Sequence, residues 1–143
     1  MKKVEIKLLT GFNELLFGTA KHEIIEALGT ADQFETIEEE DEVFTEMHTY
    51  NDLKSSFFFE GNETDMVFTS CDTENENALL FGNKVFEMSE LEIKQMMREH
   101  NFKDLETDEE EWGEKRLSYM DAMVDFYFDN EELISVTWGI LVM

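Results

Sequence analysis

The chain has no proline, one cysteine, seven glycines and only 11 basic residues against 35 acidic ones. A lone Cys71 cannot form an intrachain disulfide, and such usage points to a reducing compartment. The shortage of lysine and arginine argues against direct binding to nucleic acid or anionic lipid, both of which need a cationic surface. No apolar run approaches the roughly 18 residues that span a bilayer. Glu5 and Lys7 interrupt the first ten residues, where a secretory signal needs an unbroken apolar stretch. The expectation is a cytoplasmic protein with no membrane partner. The glycines are too few and too scattered for a phosphate cradle; Gly11, Gly18 and Gly29 are spaced as punctuation. The missing proline has no physical account.

What is abundant is aromatic and acidic. Hydrophobic residues make up 42% and aromatics 13% of the 143 residues, enough to build a core, so an acidic disordered tail is excluded. The net charge of -24 far exceeds the magnitude of about 2–8 that solubility requires. Charge of that size repels itself and destabilises the compact state. It fits a basic protein partner, for which complementary fields raise the association rate and set specificity. A salt-adapted or generally acidic proteome is the other source.

The strongest pattern is a repeat. The stretch 56–69 recurs at 125–138 with an offset of sixty-nine, pairing Phe57 with Phe126, Phe58 with Tyr127, Phe59 with Phe128, Glu60 with Asp129 and Val67 with Val136. Upstream the same offset pairs Tyr50 with Tyr119, Asp52 with Asp121, and Glu23-Ile24 with Glu92-Ile93. A register held without a gap across a helical and an extended segment reads as duplication. The halves are 1–77 and 78–143, each too small to stand alone, so a shared core or continuous sheet is expected.

Alternation at Val4, Ile6 and Leu8 predicts a first strand, and 12–18 reads as a connection. Thr19 is placed to cap a helix that stops at Gly29, and Ser89-Glu-Leu-Glu92 is a capping box opening a second. Strands are expected at 44–50, 54–60, 65–71, 115–119, 124–129 and 133–142, with a tight turn at Asn130-Glu131. Gly82-Asn83 marks a hairpin that the first half is expected to lack, and 72–77 is the seam between halves. Together these predict an α+β fold: two tandem helix-plus-antiparallel-meander repeats joined into a two-layer sandwich, helices on one face of the sheet. Alternation assigns Phe57, Phe59, Phe126, Phe128, Val67, Val136 and Trp138 to the covered face. It leaves Phe58, Tyr127, Met66, Phe68 and Thr137 among Glu60, Asp125 and Asp129 on the other. An uncovered face mixing aromatics with carboxylates is a natural docking surface.

Catalytic and metal motifs are not legible. Cys71 lies in an apolar strand with no activating neighbour, and reads as a buried inert thiol. His22, His48 and His100 are scattered without zinc-ligand spacing and read as surface or cap residues. Asp72, Glu74 and Glu76 imitate the start of a calcium loop, but Asn77 and Asn83 stand where glycine and glutamate are needed. No cofactor and no catalytic residue is assigned. The acidic runs 38–42 and 106–111 recur in both halves, which keeps a binding role alive beside the plainer reading as solvated loops. Candidate binding residues are Phe58 and Tyr127, with Trp112 in an acidic loop as a hot-spot anchor. Glu38, Glu39, Glu40, Glu60, Asp129, Glu109 and Glu110 are the charge complement.

A small helix followed by an antiparallel meander, in tandem, resembles the β-lactamase-inhibitor-protein architecture and its SmpA/BamE-like relatives. The residues that carry the likeness are Phe17-Gly18, Glu23-Ile24 and Leu28-Gly29. The inhibitor's half-domains carry disulfides and are secreted, which this chain's single cysteine does not match. The segment 79–93 is similar to small acidic immunity proteins of bacterial toxin loci, and no functional residue transfers from either likeness. The resemblance implies a non-enzymatic immunity-type inhibitor, monomeric when free, that neutralises a basic toxin such as a nuclease by covering its active site. The alternative is an assembly adaptor that pairs with itself through the edge of the long apolar strand 133–142.

Overall fold

Alternating apolar and polar residues, rich in phenylalanine, valine and threonine, favour half-buried strands over helices. A computed structural model, describing residues 3–38, 43–110 and 112–141, shows how far that preference extends: 48% of these residues are strand and 16% helix. The first half runs β1 (Glu5–Lys7), β2 (Gly11–Phe12), β3 (Leu15–Leu16), α1 (Lys21–Leu28), β4 (Gln33–Glu38), β5 (Phe44–Tyr50), β6 (Ser55–Gly61) and β7 (Met66–Thr73). The second runs β8 (Leu79–Leu80), β9 (Asn83–Lys84), a 3-10 turn at Val85–Glu87, α2 (Glu90–Glu99), β10 (Leu105–Glu109), β11 (Glu114–Tyr119), β12 (Val124–Asp129) and β13 (Glu132–Gly139).

Strands β4 to β7 and β10 to β13 form two meanders that meet at an antiparallel β7–β13 pair, giving one eight-stranded sheet ordered β10-β11-β12-β13-β7-β6-β5-β4. A second sheet, ordered β3-β2-β1-β8-β9, contains a parallel β1–β8 pair. This sheet overturns the expected α+β sandwich, because the layer over the large sheet is built around short strands rather than helices alone. Two-residue strands are too short to show a period, so the sequence read 12–18 as a connection. They persist because Phe12 is fully buried, 4.6 Å from Phe57 and stacked at 6.0 Å on Trp138. The Trp138 indole N–H also donates to the Gly11 carbonyl at 2.9 Å, tying the two sheets together. Both halves carry a hairpin beside β1 (β2–β3 and β8–β9), so the hairpin is not confined to the second half.

Both helices lie on the same side as the small sheet. Helix α1 starts after Ala20 without a side-chain cap, not at Thr19; α2 has the full Ser89–Glu92 capping box. Each helix is pinned to its meander by an ion pair at its first residue: Lys21 to Glu46 of β5 at 2.9 Å, and Glu90 to Lys115 of β11 at 2.8 Å. These four residues are sixty-nine apart in pairs, with the signs exchanged. Burial pushes the Glu46 carboxyl up, but Lys21 and His48 outweigh it and hold it below its ordinary value. Burial acts the same way at Glu90, outweighed by Lys115 and Lys94. His48 is buried between Phe34 and Phe59 and bonded to Glu46 at 3.0 Å, so it is a core residue and not a surface one.

Two bulges interrupt the ladders of the large sheet, and the first corrects the assignment of faces. In the β6–β7 ladder Phe58 pairs with Ser70 and Phe59 with Phe68, leaving Thr69 extra. In β12–β13, Tyr127 pairs with Ser135 and Phe128 with Leu133, leaving Ile134 extra. An extra residue inverts the alternation beyond it. Met66 and Phe68 therefore turn into the core and Val67 turns out, the reverse of the expectation, while Phe57, Phe59, Phe126, Phe128, Val136 and Trp138 are buried as alternation requires. The strand 133–142 is no edge either: β13 lies in the middle of the sheet between β7 and β12. The edges are β4 and β10, of sequence QFETIE and LETDE, whose acids discourage edge pairing. Strand 133–142 therefore offers no edge for the self-pairing adaptor.

Candidate binding face

Directly opposed residues in a ladder point to the same side of a sheet. Following the pairings from edge to edge, one row crosses all eight strands: Gln33, Thr49, Ser56, Asp72, Thr137, Asp125, Ser118 and Glu106. Every member is polar. The row runs along the face opposite the helices and the small sheet, and among the described residues no element covers that face. Thr49 and Ser56 share a hydrogen bond at 2.9 Å.

An aromatic group lies to either side of this belt. Met47, Phe58 and Ser70 form the next row on one side, and Arg116, Tyr127 and Ser135 on the other. Phe58 and Tyr127 are both partly exposed, three strands or about 14 Å apart across the sheet and displaced to opposite sides of the belt. The Tyr127 hydroxyl donates to Asp125 at 3.4 Å. Burial, with the Asp125 charge beside it, raises the phenol above its ordinary value. Arg116 bonds Asp108 at 3.2 Å while its buried Nε has no partner.

Asp72 sits at the centre, on β7, between Ser56 of β6 and Thr137 of β13. The sequence reading placed it in a polar linker; it belongs to a central strand, and the seam begins only after Thr73. Its Oδ1 is buried without a hydrogen-bond partner. Burial, reinforced by Glu74, pushes its carboxyl up from an ordinary 3.8 to about 6. In the sequence Asp72 stands out only as the first residue of a failed likeness to a calcium loop, which says nothing of its place on this face. The nearest signal of that place was indirect: its ladder neighbour Ser56 aligns with Asp125 at the repeat offset, so polar residues recur at that level in both halves.

Of the candidate binding residues, the fold brings Phe58, Glu60, Tyr127 and Asp129 onto this face, with Glu60 and Asp129 at the ends of β6 and β12. Glu110 joins Tyr127, Asp108 and Arg116 around a hollow of about 250 Å³. Glu109 opposes Lys115, which faces the covered side, so it is not part of the surface. Trp112 is 65% exposed at the turn before β11. Glu38 ends β4, and Glu39 and Glu40 lie outside the described residues. Glu38 and Glu106–Glu109 belong to the opposite edge strands β4 and β10, seven spacings or about 34 Å apart.

The face offers acceptors and few donors. All three histidines are on the covered side, on α1, on β5 and at the end of α2, so no imidazole stands by to activate Ser56 or Thr137. Among the described residues no group of three or more potential ligands could hold a metal ion, and no helix is long and apolar enough to cross a membrane. Cys71 is fully buried on the covered side, where burial drives its thiol well above the ordinary range. Compared with protein-family models, curated proteins and solved structures, the chain matches none of them.

Proposed function

We propose that this chain is a non-enzymatic binding protein that docks a basic protein through the uncovered face of its large sheet. In the form suggested by the sequence resemblance, it is a cytoplasmic immunity-type inhibitor, monomeric when free, that occludes a toxin. The observation that carries the reading is the face itself: a polar belt over eight strands, flanked by Phe58 and Tyr127, in a chain of net charge -24. A face of this kind accommodates a standard interface of roughly 1,600 Å² in total. The aromatic groups supply anchors and the carboxylates supply steering.

The test is binding of a basic toxin domain encoded beside this chain, measured by calorimetry at several salt concentrations. Affinity is expected to fall steeply with salt, and Phe58→Ala with Tyr127→Ala to cost about 2 kcal/mol or more together. Salt-independent binding, or full affinity in the double variant, would overturn the docking mode.

A further inference from the structure

We infer that Asp72, with the hydroxyls of Ser56 and Thr137 on the two adjoining strands, is the seat for one guanidinium of the basic partner. The inference rests on the reading of the open face as the docking surface, and narrows it to a contact. A buried oxygen without a partner is uncommon in folded proteins, and each instance calls for an explanation. Here the orphan is Oδ1 of a carboxylate at the middle of the eight-strand row, second from the end of β7, where Asp72 borders a hollow of about 660 Å³ with Ser56, Lys54 and Glu74. Its ladder and chain neighbours carry no positive charge: Ser70 on its own strand, Glu74 just past that strand's end, Ser56 on β6, Thr137 on β13 and Asp125 one strand beyond. Of the basic residues of this face, Arg116 is engaged by Asp108 three strands off, and Lys54, in the turn leading into β6, lines the same hollow as Asp72 and Ser56 without forming an ion pair with Asp72.

The chemistry of the occupant follows from that set. Carboxylate oxygens accept, and the serine and threonine hydroxyls can do so, which calls for a donor carrying positive charge. The acceptors are strung across three adjacent strands, spaced about 4.8 Å apart. A guanidinium presents five donors in a rigid plane and can engage several acceptors at once, whereas an ammonium is a compact, strongly hydrated point charge. Unpaired, the carboxylate is a cost to the free protein; seated against a guanidinium, it becomes a charge-assisted contact shielded by the flanking aromatics.

Acetyl-hexa-arginine amide and acetyl-hexa-lysine amide serve as probes, titrated by NMR and calorimetry at pH 7.5 against the full chain, Asp72→Asn and Glu26→Gln. Glu26 is exposed on α1, on the other side of the molecule, and its variant makes the same charge change. The expected result is a loss of about tenfold or more in arginine-peptide affinity for Asp72→Asn. Glu26→Gln should lose less than about twofold, and the arginine peptide should bind several-fold tighter than its lysine counterpart. Equal losses in the two variants would show diffuse attraction to a polyanion and overturn the seat. Equal binding of the two peptides would overturn the guanidinium assignment. Neither failure touches the broader docking reading, which stands or falls on the toxin-domain titration with Phe58 and Tyr127 replaced. Thermal melts of Asp72→Asn check that its fold is intact.

Discussion

Replacing Asp72 by asparagine should stabilise the free protein, and by an amount that depends on pH. The folded carboxyl holds its proton up to about pH 6, against an ordinary 3.8. Between those values the folded state binds more protons than the unfolded one, so stability falls as pH rises. Below about 3.8 both states are protonated and Asp72 costs nothing; above about 6 the cost is complete. The gap corresponds to about 3 kcal/mol. Because Asp72 keeps some solvent exposure, about 2 kcal/mol is the better expectation. For a chain of this length that is a rise of about 6 °C in Tm. Urea melts of both proteins at half-unit steps from pH 4 to pH 8 isolate the effect, since titration common to the other carboxylates cancels in the difference. The variant should match the wild type at pH 4 and gain its full advantage by pH 7. A difference that is flat with pH, or that favours the wild type at pH 8, would refute the burial of an unpaired carboxylate at this position.

Three further outcomes follow from the same structure. Asn130 and Glu131 both have positive φ, at 50° and 72°, in the two-residue turn between β12 and β13, where asparagine–glycine is the preferred pair. Glu131→Gly should therefore add about 1 kcal/mol in a denaturant melt. A Cβ on Gly11 would collide with the Leu15 carbonyl oxygen and disturb the carbonyl that receives the Trp138 indole. Gly11→Ala should cost about 2 kcal/mol or more and alter the near-ultraviolet circular dichroism of Trp138. Phe57→Ala should cost about 3–5 kcal/mol by emptying the core, whereas Phe58→Ala should cost well under half of that. Similar losses at the two positions would mean that the second face is covered after all.

Sequence legibility tracked the length of each pattern. The six long strands of the meanders could be read from alternation over six to eight residues, and the second helix from its capping box. The small sheet could not, because strands of two residues carry no period and are held by burial of Phe12 and by a bond from Trp138, 127 positions away. The single bulge at Thr69 defeated the assignment of faces along β7, since the residue type does not announce an insertion. For the candidate site, Phe58 and Tyr127 were legible because they sit in the repeated aromatic run. Asp72 was not, because what distinguishes it is the company brought by strands sixteen and sixty-five positions away.

The exchanged polarity of the two helix pins has a consequence for how the chain sorts its own parts. With two meanders of like sequence in one polypeptide, either helix could settle on the wrong partner during folding. Were α1 laid over the second meander, Lys21 would meet Lys115; were α2 laid over the first, Glu90 would meet Glu46. Like charges at a half-buried contact repel where opposite charges attract, so a crossed arrangement is penalised twice while the native one is favoured twice. Four side chains thereby act as a lock and key between two meanders of similar pattern.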